Sequence, residues 1–453
     1  MIQSERLKAL NDKDFRGGDY VLYWMQASQR SECNHALEYA ARHADELKLP
    51  LVAFFGLTPR YPGANERHYA FLLEGLADAR AHLEAKGIQL VVRIESPERG
   101  AAEMAERAAL AVVDRGYTRL QRTWRARAAE AMDCLLIQIE SDAVVPVETA
   151  SSKEEWSAAT FRPKMRARRE SFLHPLRERK PRRDSLGLSF DSLNLTDIDA
   201  VLAELPIDRS VKRSRFFPGG QSEAKSRLRR FLKDKLDHFG ELRNIPTLDA
   251  QSHLGPYLHF GQISPLQAAR QAIEAGGPGV EPFLEELLVR RELSLNFVHA
   301  NPHYDEWEAV PAWARATLAE HAADPRPAEY SPRELEEART HDPYWNAAQD
   351  EMRITGKMHG YMRMYWGKKI LEWSRSPEAA FRTALALNDK YELDGRDPNS
   401  FAGVAWCFGK HDRPWPSRPV FGTVRSMNEA GLRRKFDADQ YARMIDRLRS
   451  KPS

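Results

Sequence analysis

Three cysteines in 453 residues, Cys33, Cys134 and Cys407, are too few and too scattered for a disulfide framework or a thiolate metal site. No apolar run approaches the ~20 residues that cross a bilayer. The N-terminal MIQSERLKALNDKDF lacks the apolar core of a secretory signal, so a cytoplasmic protein is expected. Also missing are H-E-x-x-H, paired C-x-x-C, G-x-x-x-x-G-K-[ST] and G-x-S-x-G, which disfavours zinc, P-loop and serine hydrolases. No G-x-G-x-x-G follows the first strand, so the usual dinucleotide fingerprint is absent. A chain this long without a nucleophile or metal box leaves its chemistry to a bound cofactor.

With 42% hydrophobic and 29% charged residues, the composition is that of a folded protein of two or three domains at ~150 residues each. YVLYWM (20–25), LVAFFGL (51–57), IQLVVRIES (88–96) and ALAVVDR (109–115) are short buried runs separated by amphipathic segments. That alternation predicts a Rossmann-like, doubly wound parallel sheet over residues 1–150. Residues 151–244 are basic and proline-containing, with weak periodicity, and read as an inter-domain connector ending in a helix near Glu223–His238. From 245 to 453 the pattern is all-helical, in SPLQAARQAIEAG, PFLEELLVRRELSLNFVHA, YSPRELEEARTH and GKMHGYMRMYWGKKILEW.

Charge is clustered, although the net value is only +3. Arg162–Arg183 holds ten Lys/Arg against two Glu, and Asp208–Lys235 holds ten against three acids. Such clusters follow a polyanion or simply form solvated helix faces. Seven of the ten tryptophans lie in the last third of the chain. Trp366 and Trp373, spaced i, i+7, share a helix face about 10 Å apart along the axis. They read as aromatic core or as an electron relay, since indole rings are oxidisable. Gly356, Gly360 and Gly367 on one helical stretch cost ~1 kcal/mol each against alanine, which implies close approach of a ligand or of another helix. DGRDPNSFAGVAWCFGKHDRPWPSRPVFG (394–422), with four Gly and four Pro, reads as a long functional loop.

SHLGPYLHFGQISP (252–265), EELLVRREL (285–293), KMHGYMRMYWGKKILEW (357–373), LDGRDPNSFAGVAW (393–406) and RPVFGTVRSMNEAGLRRKF (418–436) together resemble DNA photolyases, most closely the class II cyclobutane pyrimidine dimer (CPD) enzymes. The resemblance is tight over 245–436 and looser before it. It implies FAD in the helical domain, active as its reduced anion, light-driven electron transfer to a flipped-out dimer, and UV-damaged DNA as substrate. A monomer without an obligate protein partner is expected.

The resemblance also implies residue roles. Trp366 and Trp345 match the tryptophan dyad that photoreduces the flavin, with Trp373 as a branch. Arg363 and Asp394 match an ion pair beside the isoalloxazine, which would favour the anionic flavin. Asn388 matches an amide near flavin N5. Ser252, Leu254 and Gly255 match the pyrophosphate-binding stretch, and Asp397 and Asn399 the adenosine side. Glu286 matches the carboxyl that bonds the dimer, Met364 and Trp406 the walls of its pocket, and Arg425, Arg433, Arg434 and Lys435 phosphate contacts. From the residues alone, Arg363–Asp394 also fits an ordinary buried pair, Ser252 an N-cap, and Glu286–Arg290 an i, i+4 helix pair.

Two positions depart from the family pattern. Gly255 stands where a serine is usual, and Arg290 where many photolyases carry a tryptophan that stacks on the dimer. An 8-hydroxy-5-deazaflavin-type antenna is the family's implication for the N-terminal domain. A cryptochrome-like blue-light sensor and a (6-4) photoproduct photolyase are the alternatives. The short tail after Phe436 weighs against the first, and the lack of pocket histidines other than His359 against the second.

Overall fold

The computed structural model describes residues 2–450. Six strands form one sheet: β1 (Leu7–Ala9), β2 (Tyr20–Trp24), β3 (Leu51–Gly56), β4 (Gln89–Arg93), β5 (Ala108–Asp114) and β6 (Leu136–Ile139). Their order is β1-β6-β5-β2-β3-β4, parallel except for β1, which pairs antiparallel with β6 at the edge. The four strands read from sequence are β2 to β5. Their continuous apolar interiors follow from burial on both faces. Val21, Tyr23, Leu51 and Ala53 face the helices His35–Leu47 and Glu66–Ala85. Tyr20, Leu22, Trp24 and Phe54 face Pro97–Ala105 and Arg119–Ala131.

Residues 151–244 contain the helices Ala158–Phe172, Ile198–Glu204 and Gln221–Asp234. Between the first two, the chain runs along β4, where Ser185 and Leu193 donate backbone N–H groups to Gly87 and Val92. Phe161, Leu228 and Phe231 belong to the same apolar cluster as Leu254, Phe283 and Leu287, so this stretch is packed against the helical domain.

The helical domain is docked on the sheet domain by buried polar contacts. Arg67 donates to the carbonyls of Met352 (3.0 Å) and Arg353 (2.6 Å) in one helix and of Tyr391 (2.8 Å) in another. These carbonyls lie at the C-terminal ends of Pro343–Thr355 and Pro377–Tyr391, where intrahelical donors run out and a cation is favoured. Burial, partly offset by Glu392 and Tyr391, pulls the Arg67 guanidinium down to about 10.

Several local expectations change. The helix after Gly356 begins only at Gly360, and Gly356 caps the preceding helix in the left-handed conformation (φ 87°). Gly367 alone is interior, and a Cβ there would lie 2.5 Å from Cys407 Sγ, so the close approach is to a neighbouring helix. The segment 394–422 is not one loop: Pro398–Cys407 is a helix. Asp397 caps it, accepting from Asn399 N at 2.7 Å, and Pro398 occupies its first turn, where a missing N–H costs nothing. YSPRELEEARTH is helical only over Pro332–Glu336. The three cysteines are unpaired, and among the described residues no helix is long and apolar enough to cross a membrane.

Candidate functional site

A cavity of about 440 Å³ opens in the helical domain. Of the residues singled out in the sequence, Ser252, Leu254, Gly255, Glu286, Arg290, Arg363, Met364, Asp394, Asp397 and Asn399 line it. They come from four separate stretches, so only the tertiary fold assembles them. Asn388, Trp345, Trp366, Trp373, Trp406, Arg425, Arg433 and Arg434 lie outside its lining.

One wall is a charge cluster. Arg363 meets Glu392 at 3.1 Å and Asp394 at 3.4 Å, and Lys357 meets Asp394 at 3.1 Å. Burial would raise the Asp394 carboxyl, but Lys357 and Arg363 outweigh it and hold it well below the usual range. Glu392, fully buried, is pushed up to about 7 by burial, against the pull of Arg363. Lys357 and Arg363 therefore face one carboxyl held low, Asp394, and one held high, Glu392. Among the described residues, Arg363 Nε is buried without a partner, a donor left over for a polar or anionic guest. Gly255 is where the cluster meets the chain: a Cβ there would sit 2.3 Å from Asp394 Oδ2 and 3.1 Å from Lys357 Nζ. Asn388, behind this wall, donates its side-chain amide to Ser400 Oγ and to Asp389 Oδ1 (3.2 Å).

The opposite wall carries a π-helical turn, Glu285–Arg290. Its i→i+5 pitch sets Arg290 over Glu285 (3.3 Å), not over Glu286, and the i, i+4 pair does not form. Glu286 instead binds Arg243 at 2.5 Å. His259 Nδ1 meets Asp397 Oδ2 at 3.0 Å, and Ser294 donates to Asn399 at 3.3 Å.

Trp345, Trp366 and Trp373 are packed together in the core of the helical domain, each at most 1% exposed. Trp345 and Trp366 stack with centroids 6.4 Å apart and planes 7° from parallel, and Trp373 meets Trp345 edge-on at 5.7 Å. The indole N–H of Trp345 donates to the Trp366 carbonyl (3.0 Å), and that of Trp366 to Gln349 Oε1 (2.8 Å).

Trp406 lies between Lys368 (5.0 Å) and Arg425 (5.7 Å), and Arg425 also covers Trp415 at 4.9 Å. Lys368 is fully buried, donates to the Cys407 carbonyl at 2.6 Å, and is lowered to about 8 by burial. Arg433 is bound to Glu429 (2.9 Å) and Asp439 (3.0 Å) and covers Tyr344. Among the described residues, the exposed Arg434 and Lys435 have no carboxylate within ion-pair distance.

A second, smaller cavity of about 110 Å³ sits at the carboxyl ends of β2 and β3, beside the point where strand order reverses. Trp24, Phe55, Tyr61, Tyr69 and Trp124 line it, with His259, Phe260 and Arg396 from the helical domain. Reading the sequence did not find Lys357, Glu392, Arg243, Lys368 or His259. Glu392 stands two positions before Asp394 and Lys357 six before Arg363, but their convergence is a property of the fold.

A family model described as DNA photolyase matches residues 21–182. A curated relative named deoxyribodipyrimidine photo-lyase, from Methanothermobacter thermautotrophicus, is 54% identical over 99% of this chain and 99% of its own. Another of the same name, from Potorous tridactylus, is 38% identical over 94% of this chain and 81% of its own. Among solved structures, an archaeal photolyase from Sulfolobus tokodaii with two FAD molecules superposes with a TM-score of 0.72 at 18% identity, covering 95% of this chain and 91% of that one. With identity of this degree running from end to end, the chain belongs to the DNA photolyase family, the deoxyribodipyrimidine photo-lyases.

Proposed function

We propose that this protein is a class II CPD photolyase that holds FAD in the 440 Å³ cavity and repairs pyrimidine dimers in UV-damaged DNA as a monomer. The observation that carries the reading is the Lys357–Asp394–Arg363–Glu392 cluster on the cavity wall, with its excess of cation and its orphaned Arg363 Nε. A low-dielectric site with surplus positive charge favours an anionic guest. The donor set fits FAD: cations toward a reducible ring and phosphates, backbone at Ser252–Gly255, and Asp397 and Asn399 toward the adenosine side. The chemistry FAD supplies there when bound, in its reduced anionic form, is light-driven donation of an electron to the cyclobutane ring.

The chain's own residues do the rest. Arg363 and Lys357 fix the charge of the site, and Asn388, its amide oriented by Ser400, serves the N5 side of the ring. Glu286 presents a carboxyl, steadied by Arg243, to the edge of a flipped-out base. Met364 is an apolar wall, and Trp406, outside the cavity lining, offers a ring face for base stacking worth ~1–3 kcal/mol. Arg290, half exposed at the rim, offers a guanidinium plane where the family usually has an indole. Arg425 and Arg434 meet phosphates. Trp366, Trp345 and Trp373 relay electrons inward when the cofactor is oxidised. The cavity at the strand-order reversal takes an 8-hydroxy-5-deazaflavin-type antenna, its aromatic lining suited to a flat ring.

The test is a visible spectrum of the purified protein followed by illumination with a dimer-containing oligonucleotide. A flavin spectrum and restored pyrimidines are expected. A colourless protein that refuses added FAD overturns the cofactor assignment, and a coloured protein that leaves dimers intact points to a light sensor.

A further inference from the structure

The aromatic column does not stop at Trp373. Tyr330 meets the Trp373 ring edge-on at 5.3 Å, and His341 lies 5.3 Å from the same ring. The backbone N–H of His341 donates to the Tyr330 hydroxyl oxygen at 2.9 Å, and the same hydroxyl lies 2.5 Å from His341 Nδ1, to which it donates when the imidazole carries its proton on Nε2. From Trp366 the centroid steps are 6.4, 5.7 and 5.3 Å, ending on Tyr330. Exposure rises outward along the same path, from three buried indoles to a partly buried tyrosine and an exposed histidine.

The two ends of the column differ in what can receive a proton. The indole N–H groups of Trp345 and Trp366 face a backbone carbonyl and an amide oxygen, neither of which is a base. A hole that stops there stays on an indole cation, open to charge recombination. Tyr330 has an imidazole nitrogen in hydrogen-bond contact, within the reach required for proton transfer.

We propose that Tyr330 is the terminal electron donor of the column and His341 its proton acceptor, an extension that rests on the relay reading above. One electron leaves Trp366 for the light-excited oxidised flavin. Electrons from Trp345, Trp373 and Tyr330 then move inward in turn, so each tryptophan is restored. At Tyr330 the O–H bond breaks and an N–H bond forms at His341 Nδ1, leaving a neutral tyrosyl radical and an imidazolium. The imidazolium returns its proton to water, and an external thiol restores tyrosine by giving up one hydrogen atom. Separating proton from hole blocks recombination.

The test is flash photolysis of the full chain loaded with oxidised FAD, without thiol, read by transient absorption and electron paramagnetic resonance. Wild type is expected to end on a long-lived tyrosyl radical whose formation slows in D₂O. Tyr330→Phe keeps the ring against Trp373, and should lose the tyrosyl signal and return faster to the dark spectrum through a tryptophanyl species. His341→Ala should lose the solvent isotope effect. Equal flavin loading and circular dichroism across the set certify folding. If wild type and Tyr330→Phe give the same tryptophanyl signal and lifetime, the tyrosine assignment is wrong while the relay stands. If Trp366→Phe leaves the flash-induced radicals unchanged, the relay is wrong and the tyrosine falls with it.

Discussion

The carboxylate of Glu286 is bound to Arg243 at 2.5 Å and leaves Arg290, four positions on, to Glu285. A carboxyl held by a cation from another segment has a fixed direction into the cavity. The pair is about one-third exposed, so its removal should cost stability no more than ~1 kcal/mol. Glu286→Ala should bind FAD as wild type does and repair fewer dimers per absorbed photon. Repair quantum yield measured with chemically reduced flavin checks this; an undiminished yield removes Glu286 from the reaction.

Trp366→Phe should abolish light-driven reduction of bound oxidised FAD and spare repair once the flavin is reduced with dithionite. The variant also leaves Gln349 Oε1 without its indole donor, a stability loss of ~1–3 kcal/mol. Photoreduction kinetics and dithionite-primed repair, measured on one preparation, separate the two effects. Normal photoreduction would show that electrons enter by another route.

Glu392 makes stability depend on pH. Its folded pKa of about 7 lies above the 4.5 expected in an unfolded chain, so its contribution is present below 4.5 and disappears as pH rises through 7. Glu392→Gln carries no such charge. Without added flavin, wild type should lose up to ~3 kcal/mol relative to Glu392→Gln between pH 4.5 and 8, at ~1.4 kcal/mol per pKa unit. Asp394 has the opposite sign: its depressed carboxyl stabilises above the unfolded pKa near 3.8, and that stability is lost in acid. Denaturant titrations of both proteins across this range decide it; parallel profiles would mean the Glu392 carboxyl has the same pKa folded and unfolded.

Arg425 and Arg433 should behave differently toward DNA. Arg425 lies over two indoles, and no ion pair engages it among the described residues, whereas Arg433 is committed to Glu429 and Asp439. Arg425→Ala should weaken DNA binding and flatten the dependence of log K on log salt by about one. Arg433→Ala should leave that slope unchanged. Equal slopes for both variants would place the duplex elsewhere.

Much of the fold was readable because physical causes were local. β2 to β5 have continuous apolar interiors since helices cover both faces, while β1, three residues of which only Leu7 is half-buried, leaves no periodic trace. The helix Pro398–Cys407 was hidden by its own Pro and Gly, because a proline in a first turn looks like a breaker until Asp397 is seen as its cap. At the site, single residues were legible through resemblance, but their pairings were not. The spacing of Glu286 and Arg290 predicts contact at 3.6 residues per turn, and the wider π pitch cancels it. Lys357 and Glu392 join Arg363 and Asp394 only through tertiary packing.

His259 and its neighbours carry a last consequence. His259 lines both cavities, so the partition between them is one side chain thick at that point. The smaller cavity also borrows Phe260 and Arg396 from the far half of the chain. Cutting the polypeptide near residue 150 would therefore not yield two working modules, because a fragment holding only the sheet would have a breached compartment. The two compartments are built on shared masonry, and a change to that one imidazole should be felt on both sides.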